Sequence, residues 1–192
     1  MCTAITASIV ADLPLAPTTV NGDAQVDGLW MISTPGHAPG HVCVWTGDAD
    51  TRVRSGRVLL AGDLVAGIGT ILVNPPRGSM SAYLASLQRA IDLNPALLLP
   101  AHGPGTMAAV ERLEATRLHR LAREQKVLAA TPRDAPASLD DITLVAYDDT
   151  PPMFVAIAAR SALAHLARLV EVGQVVETGA GFRRVDRGTA PS

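Results

Sequence analysis

The chain has 192 residues, of which 48 % are hydrophobic and 18 % charged, and its formal net charge is −2. That composition fits a folded protein of one ordinary domain or two small ones and argues against a disordered chain. Near-neutrality also argues against a partner held by bulk charge, such as duplex DNA.

Charge is unevenly spread: residues 1–105 carry 5 basic and 7 acidic side chains, and residues 106–192 carry 11 of each. The two cysteines, Cys2 and Cys43, are too few for a disulfide framework, so the expectation is a reduced, cytoplasmic protein. No apolar run approaches the roughly 18–20 residues of a membrane span. Asp12, Pro14 and Pro17 interrupt an N-terminus that lacks a basic leader region, so neither a signal peptide nor a membrane partner is expected.

In chain order, residues 1–28 hold short β-branched stretches broken by prolines and by the Asn21, Gly22, Asp23 turn signal. Residues 29–32 predict a buried strand, which runs into a turn-rich segment, 34–41. A second strand follows at 42–45, then a polar surface loop over 47–56, and a third strand at 58–61. Tyr83, Leu87, Ala90 and Ile91 repeat at helical spacing and predict a helix over 79–93. Residues 97–100 predict a fourth strand. Beyond Gly105, the spacing of Val110, Leu113, Leu118, Leu121 and Leu128 predicts the buried stripe of a long helix, with Arg112, Arg123 and Lys126 on its solvated side. Helices over 138–147 and 153–172 follow, the latter stopped by Gly173. A hairpin flanks Gly179 and Gly181. Three helices and a terminal hairpin suggest a winged helix.

Three of the loops hold residues suited to a borderline divalent ion: His37 in a Pro-Gly-His turn, Asp63 after Gly62, and His102 before Gly103. Adjacent glycines let the backbone bend sharply around each. Singly, a histidine in a turn is more often a surface residue, and an aspartate after glycine is more often a turn former. Their repetition in order, each after an apolar strand, points to a metal site. His119 and His165 fall in helices and read as packed or solvated residues. Cys43 reads as a small buried hydrophobe, and the pairs Asp140, Asp141 and Asp148, Asp149 as caps and turns.

The segments Thr34-Pro35-Gly36-His37-Ala38-Pro39-Gly40-His41, Leu60-Ala61-Gly62-Asp63 and Leu99-Pro100-Ala101-His102-Gly103-Pro104 resemble the third, fourth and fifth metal motifs of the metallo-β-lactamase superfamily. The residues from Asp63 through Asn74-Pro75-Pro76 to Leu87 are similar to a subgroup that carries a C-terminal winged-helix region and includes the mitochondrial β-lactamase-like endoribonuclease. The resemblance implies an α/β (α+β) fold: the C-terminal half of an αββα sandwich over residues 1–105, and a winged-helix-like domain over 106–192. It implies metal ligation by His37, Asp63 and His102, with Asp63 the catalytic carboxylate bridging two ions, and His41 orienting a ligand through a hydrogen bond. Zinc is the expected cofactor, one or two ions in the intact family, with manganese and iron as alternatives.

The family's His-x-His-x-Asp-His motif has no counterpart among the five histidines, His37, His41, His102, His119 and His165. The expectation is therefore a metal-dependent hydrolase of phosphodiester (RNA) or small-molecule ester or thioester bonds, with an incomplete ligand set and impaired activity. The alternative is a non-catalytic binding or structural remnant. Either way, the sheet face that packs on the other half of the sandwich implies self-association or a partner N-terminal half.

Overall fold

The computed structural model describes residues 23–26, 29–46 and 56–185. The expected β-branched stretches before Asp23 and most of the 47–56 loop lie outside these residues.

A five-stranded sheet is built in chain order from β1 (Ala24–Val26), β2 (Leu29–Ser33), β3 (Val42–Trp45), β4 (Val58–Gly62) and β5 (Leu97–Pro100). The first four pair antiparallel, and β5 joins β4 in parallel after a crossover through helix α1 (Met80–Asp92). Strand β1 adds an edge that its three residues did not announce. The side chains alternate as a half-buried sheet requires. Cys43, Trp45, Leu59, Ala61 and Leu98 are buried on one face, whereas Leu60 (41 % exposed) and Leu99 (39 %) stand on the other.

Helix α1 covers the buried face. Ser79 caps it, its side chain accepting from the Ala82 N–H at 3.2 Å, and Met80, Tyr83, Leu87 and Ala90 point inward. These residues and the inward strand positions form the first core.

Helix α2 (Ala109–Ala130) serves two cores: Ala109 and Leu113 pack in the first, Val127 and Leu128 in the second. Its buried face differs from the apolar stripe read in the sequence. Leu118 is 57 % exposed, while Thr116, Arg120 and Glu124 are buried. The reason is that this face crosses polar partners. Arg120 donates to the Ile71 carbonyl and lies over the Tyr83 ring, and Glu124 meets Arg168 and His165. Nor are Arg112 and Arg123 a solvated face. Arg112 donates to the carbonyls of Ala66 and Gly69, and Arg123 pairs with Asp149 and stacks on Tyr147.

The second core holds α3 (Leu139–Ala146), a 3-10 turn (Pro152–Phe154), α4 (Val155–Glu171), and a hairpin of β6 (Val175–Thr178) and β7 (Gly181–Arg184). Ser138 caps α3 through the Asp141 N–H, and Gly173, at φ +70°, ends α4. Residues 152–171 do reach the length and mean hydropathy of a membrane span, although Arg160 and Arg168 interrupt the apolar run. Ala162, Leu166 and Leu169 of this segment are nonetheless packed inside the second core.

Candidate metal centre

The strands deliver the site residues to one edge of the sheet. His37 lies in the β2–β3 turn, Asp63 directly after β4 and His102 shortly after β5. The parallel β4–β5 pair places the last two side by side, and Ala101 N–H donates to the Gly62 carbonyl at 3.0 Å. Gly36, at φ +137°, is required by space as well as by conformation: a Cβ there would stand 2.3 Å from the Tyr83 backbone.

Asp63 sits between the two imidazoles. His37 Nε2 is 3.8 Å from Oδ2 and His102 Nε2 is 3.3 Å from Oδ1, so each carboxylate oxygen faces a different ring. Asp63 Oδ1 is buried and has no hydrogen-bond partner. His37 uses Nδ1 to donate to the Leu72 carbonyl at 2.9 Å. That turns Nε2, the ring's other nitrogen, towards the Asp63 carboxylate, the arrangement by which an imidazole ligand is commonly oriented. The donor set therefore fits a divalent ion. It is a thin set, however. No group of three or more His, Cys, Asp or Glu among the described residues could hold an ion as they stand. With one histidine on either side of the carboxylate, an ion held at either oxygen would draw on Asp63 and a single imidazole of these residues.

His41 does not face this gap. Its Nε2 accepts the Asp63 backbone N–H at 2.9 Å, which fixes the proton on Nδ1, where it donates to Thr34 Oγ1 (2.8 Å) or the Thr34 carbonyl (3.1 Å). The ring thereby holds Asp63 in position through the main chain. Burial lowers the His41 pKa, the Thr34 hydrogen bond opposing it, which favours the neutral ring that this network needs. Gly62, at φ +51°, leaves room for it: a Cβ there would lie 2.8 Å from His41 Nε2. Thr34 Oγ1 also touches Cys43 Sγ at 3.3 Å, and burial pushes that thiol up to about 11. Cys43 is thus an inert core residue.

Two participants escaped the sequence reading. The Leu72 carbonyl that orients His37 is main chain and leaves no signature. Arg112 lies on α2, 49 residues beyond Asp63, yet it grips the loop that begins at Ala66, with Nε at 3.0 Å and Nη2 at 2.6 Å from the Ala66 carbonyl. Within that loop the Gly67 N–H donates to the His102 carbonyl at 2.8 Å. Its run of Gly67, Ile68 and Gly69 after the apolar Leu64, Val65 and Ala66 was the available cue.

A sheet that gathers His37, Asp63 and His102 at the ends of β2, β4 and β5, followed by three helices and a hairpin, defines a class of scaffold, and sequence comparison gives its family. Residues 14–102 match the model of the metallo-β-lactamase superfamily, and residues 138–184 that of the β-lactamase associated winged helix domain. The chain belongs to the metallo-β-lactamase superfamily, whose members bind divalent metals. A β-lactamase-like protein 2 homolog of Caenorhabditis elegans is 30 % identical over 131 residues, covering 67 % of this chain and 41 % of that protein. The Drosophila melanogaster homolog is 26 % identical over 171 residues, covering 87 % and 54 %. A metallo-β-lactamase family protein of Thermus thermophilus superposes with a TM-score of 0.69 at 26 % identity, covering 90 % of this chain and 56 % of that one. The chain thus spans about half the length of the relatives it matches.

Proposed function

We propose that this chain carries part of the active site of a divalent-metal hydrolase, with His37 and His102 ligating on either side of a shared Asp63. The reading rests on one observation above all: the Asp63 carboxylate, one oxygen buried and unpartnered, set between two imidazole nitrogens. Zinc is the ion we assign, since imidazole and carboxylate suit it. When bound, such ions activate water and polarise the scissile group. The chain's own residues then have defined tasks. His41 fixes the Asp63 main chain, Leu72 fixes the His37 ring, and the Arg112-braced loop supports His102. The substrate is a phosphodiester, as in RNA, or a thioester.

Catalytic zinc ordinarily takes three protein ligands plus an open position. Two histidines and one carboxylate divided over two ions fall short of that, so the site needs histidines from another polypeptide segment. The open face of the sheet is where we place that segment. Register puts Met31, Val44, Leu60 and Leu99 in one row across four strands, opposite the face covered by α1. The same face offers a second reading, a binding protein without catalysis, which the thin ligand set favours. The two readings separate on zinc uptake by the wild-type chain and by Asp63→Asn, together with assays on an RNA oligonucleotide and an acyl thioester. Zinc uptake that depends on Asp63 supports the metal site, and Asp63-dependent turnover of either substrate supports the hydrolase.

A further inference from the structure

Away from the metal centre, a cleft of about 290 Å³ opens where α2, α3 and α4 meet the loop after β4. Its charged lining is entirely basic: Arg120, Arg123 and His119, with no acidic side chain. The charges differ in how they are satisfied. Arg123 is already committed, at 2.9 and 3.2 Å to the two Asp149 oxygens, 2.7 Å to the Ala146 carbonyl, and stacked 4.3 Å from the Tyr147 ring centre. Arg120 has no carboxylate of that kind. It is 3 % exposed, donates to the Ile71 carbonyl and lies over the Tyr83 ring, and its Nε is buried without a hydrogen-bond partner. No carboxylate lies within ion-pair distance of it among the described residues; nearby Glu124 is taken by Arg168 and His165.

A guanidinium buried without a counter-ion is costly, and here it borders an open cavity. The local field also shows at His119, whose pKa is lowered by burial first and by Arg120 and Arg123 next. The Ser161 hydroxyl also lines the cleft, while that of Thr150 reaches the Asp149 carboxylate at 3.5 Å. The remaining wall is apolar: Phe154 (48 % exposed) and Ile157 (52 %) stand at the mouth. We propose that this cleft binds a small organic anion, its oxyanion headgroup beside Arg120 and its apolar body against Phe154 and Ile157. The headgroup is a carboxylate or a phosphate. The site is separate from the metal centre and does not depend on the hydrolase reading.

The test is the thermal midpoint of the full chain with phenyl phosphate, benzoate or inorganic phosphate, each against sodium chloride at equal ionic strength. An aryl probe present at ten times its dissociation constant should raise the midpoint by roughly 3–6 °C. It should also do so at a lower concentration than inorganic phosphate, because the apolar wall contributes. Whichever aryl probe acts at the lower concentration identifies the headgroup. Arg120 also ties Ile71 and Tyr83, so its replacement risks the fold. Ser161→Glu, on the half-buried side of α4, instead sets a carboxylate in the cleft and should abolish the shift. No response to either aryl probe beyond that of chloride overturns the proposal, as does a response that survives in Ser161→Glu.

Discussion

Asp63 is held by one set of contacts and left unsatisfied by another. His41 and the strand end fix its main chain, while its buried Oδ1 has no hydrogen-bond partner in the fold. A residue retained at a cost to stability is a mark of a functional site. Asp63→Asn is therefore expected to unfold at equal or higher denaturant, with a gain of up to about 1 kcal/mol, while losing metal affinity. His41→Ala should act the other way, costing about 1–3 kcal/mol by stranding the Asp63 N–H and the Thr34 acceptors. Urea unfolding of the two variants reads both effects. A third residue titrates the second core. His165 is fully buried; Glu124 and Arg120 face it from α2, and Arg168 lies beside it on α4. Burial lowers its pKa, the Glu124 hydrogen bond opposing it. For a base held neutral in the fold, stability is fully present above its unfolded pKa, near 6.5, and is lost as pH falls towards the lower folded value. The slope of stability against pH below about 6.5 should therefore flatten in His165→Gln.

Among the elements, every strand but β1, and helix α1, were legible because alternation and helical spacing act over a few residues. The turns holding His37, Asp63 and His102 were legible because their neighbours are glycine and proline. Helix α2 was only half legible. Its ends pack into different cores, and its middle buries Arg120 and Glu124, whose partners lie on other elements. No local pattern encodes such pairs. The structure gives α2 a task that its sequence did not suggest: Arg112 braces the loop whose Gly67 supports His102. Arg112→Ala should leave global unfolding cooperative while amide exchange at Gly67 quickens by about tenfold or more, the equivalent of losing one charge-assisted bond. Exchange that stays as slow as in the wild type would refute the brace. Gly36→Ala, by contrast, drives a methyl into the α1 backbone and should cost about 3 kcal/mol by equilibrium unfolding.

For the molecule as a whole, the described residues cover the sheet on one face only. Leu60 and Leu99 are neighbours in register on the other, with Leu29 (43 % exposed) on the same side. Contiguous apolar surface of this kind marks an interaction site, so the chain should self-associate at micromolar concentration, and Leu60→Lys should shift it towards monomer in sedimentation velocity. The sequence pointed to this face through the family resemblance, since no strand pattern says which of two apolar faces is left uncovered. The proposed ligands can be counted from the sequence in the same way, because that needs only the histidines and their spacing. Their arrangement was not: that each Asp63 oxygen faces its own histidine depends on side-chain geometry at two strand ends. Residue and molecule meet in one claim, that Asp63 and its flanking histidines are a real but incomplete metal site. The most direct test is zinc retained per chain after dialysis against a weak chelator, in the wild type and in Asp63→Asn. The expected result is less than one zinc per wild-type chain and a further drop in the variant. Two firmly held ions per chain, indifferent to the substitution, would contradict it.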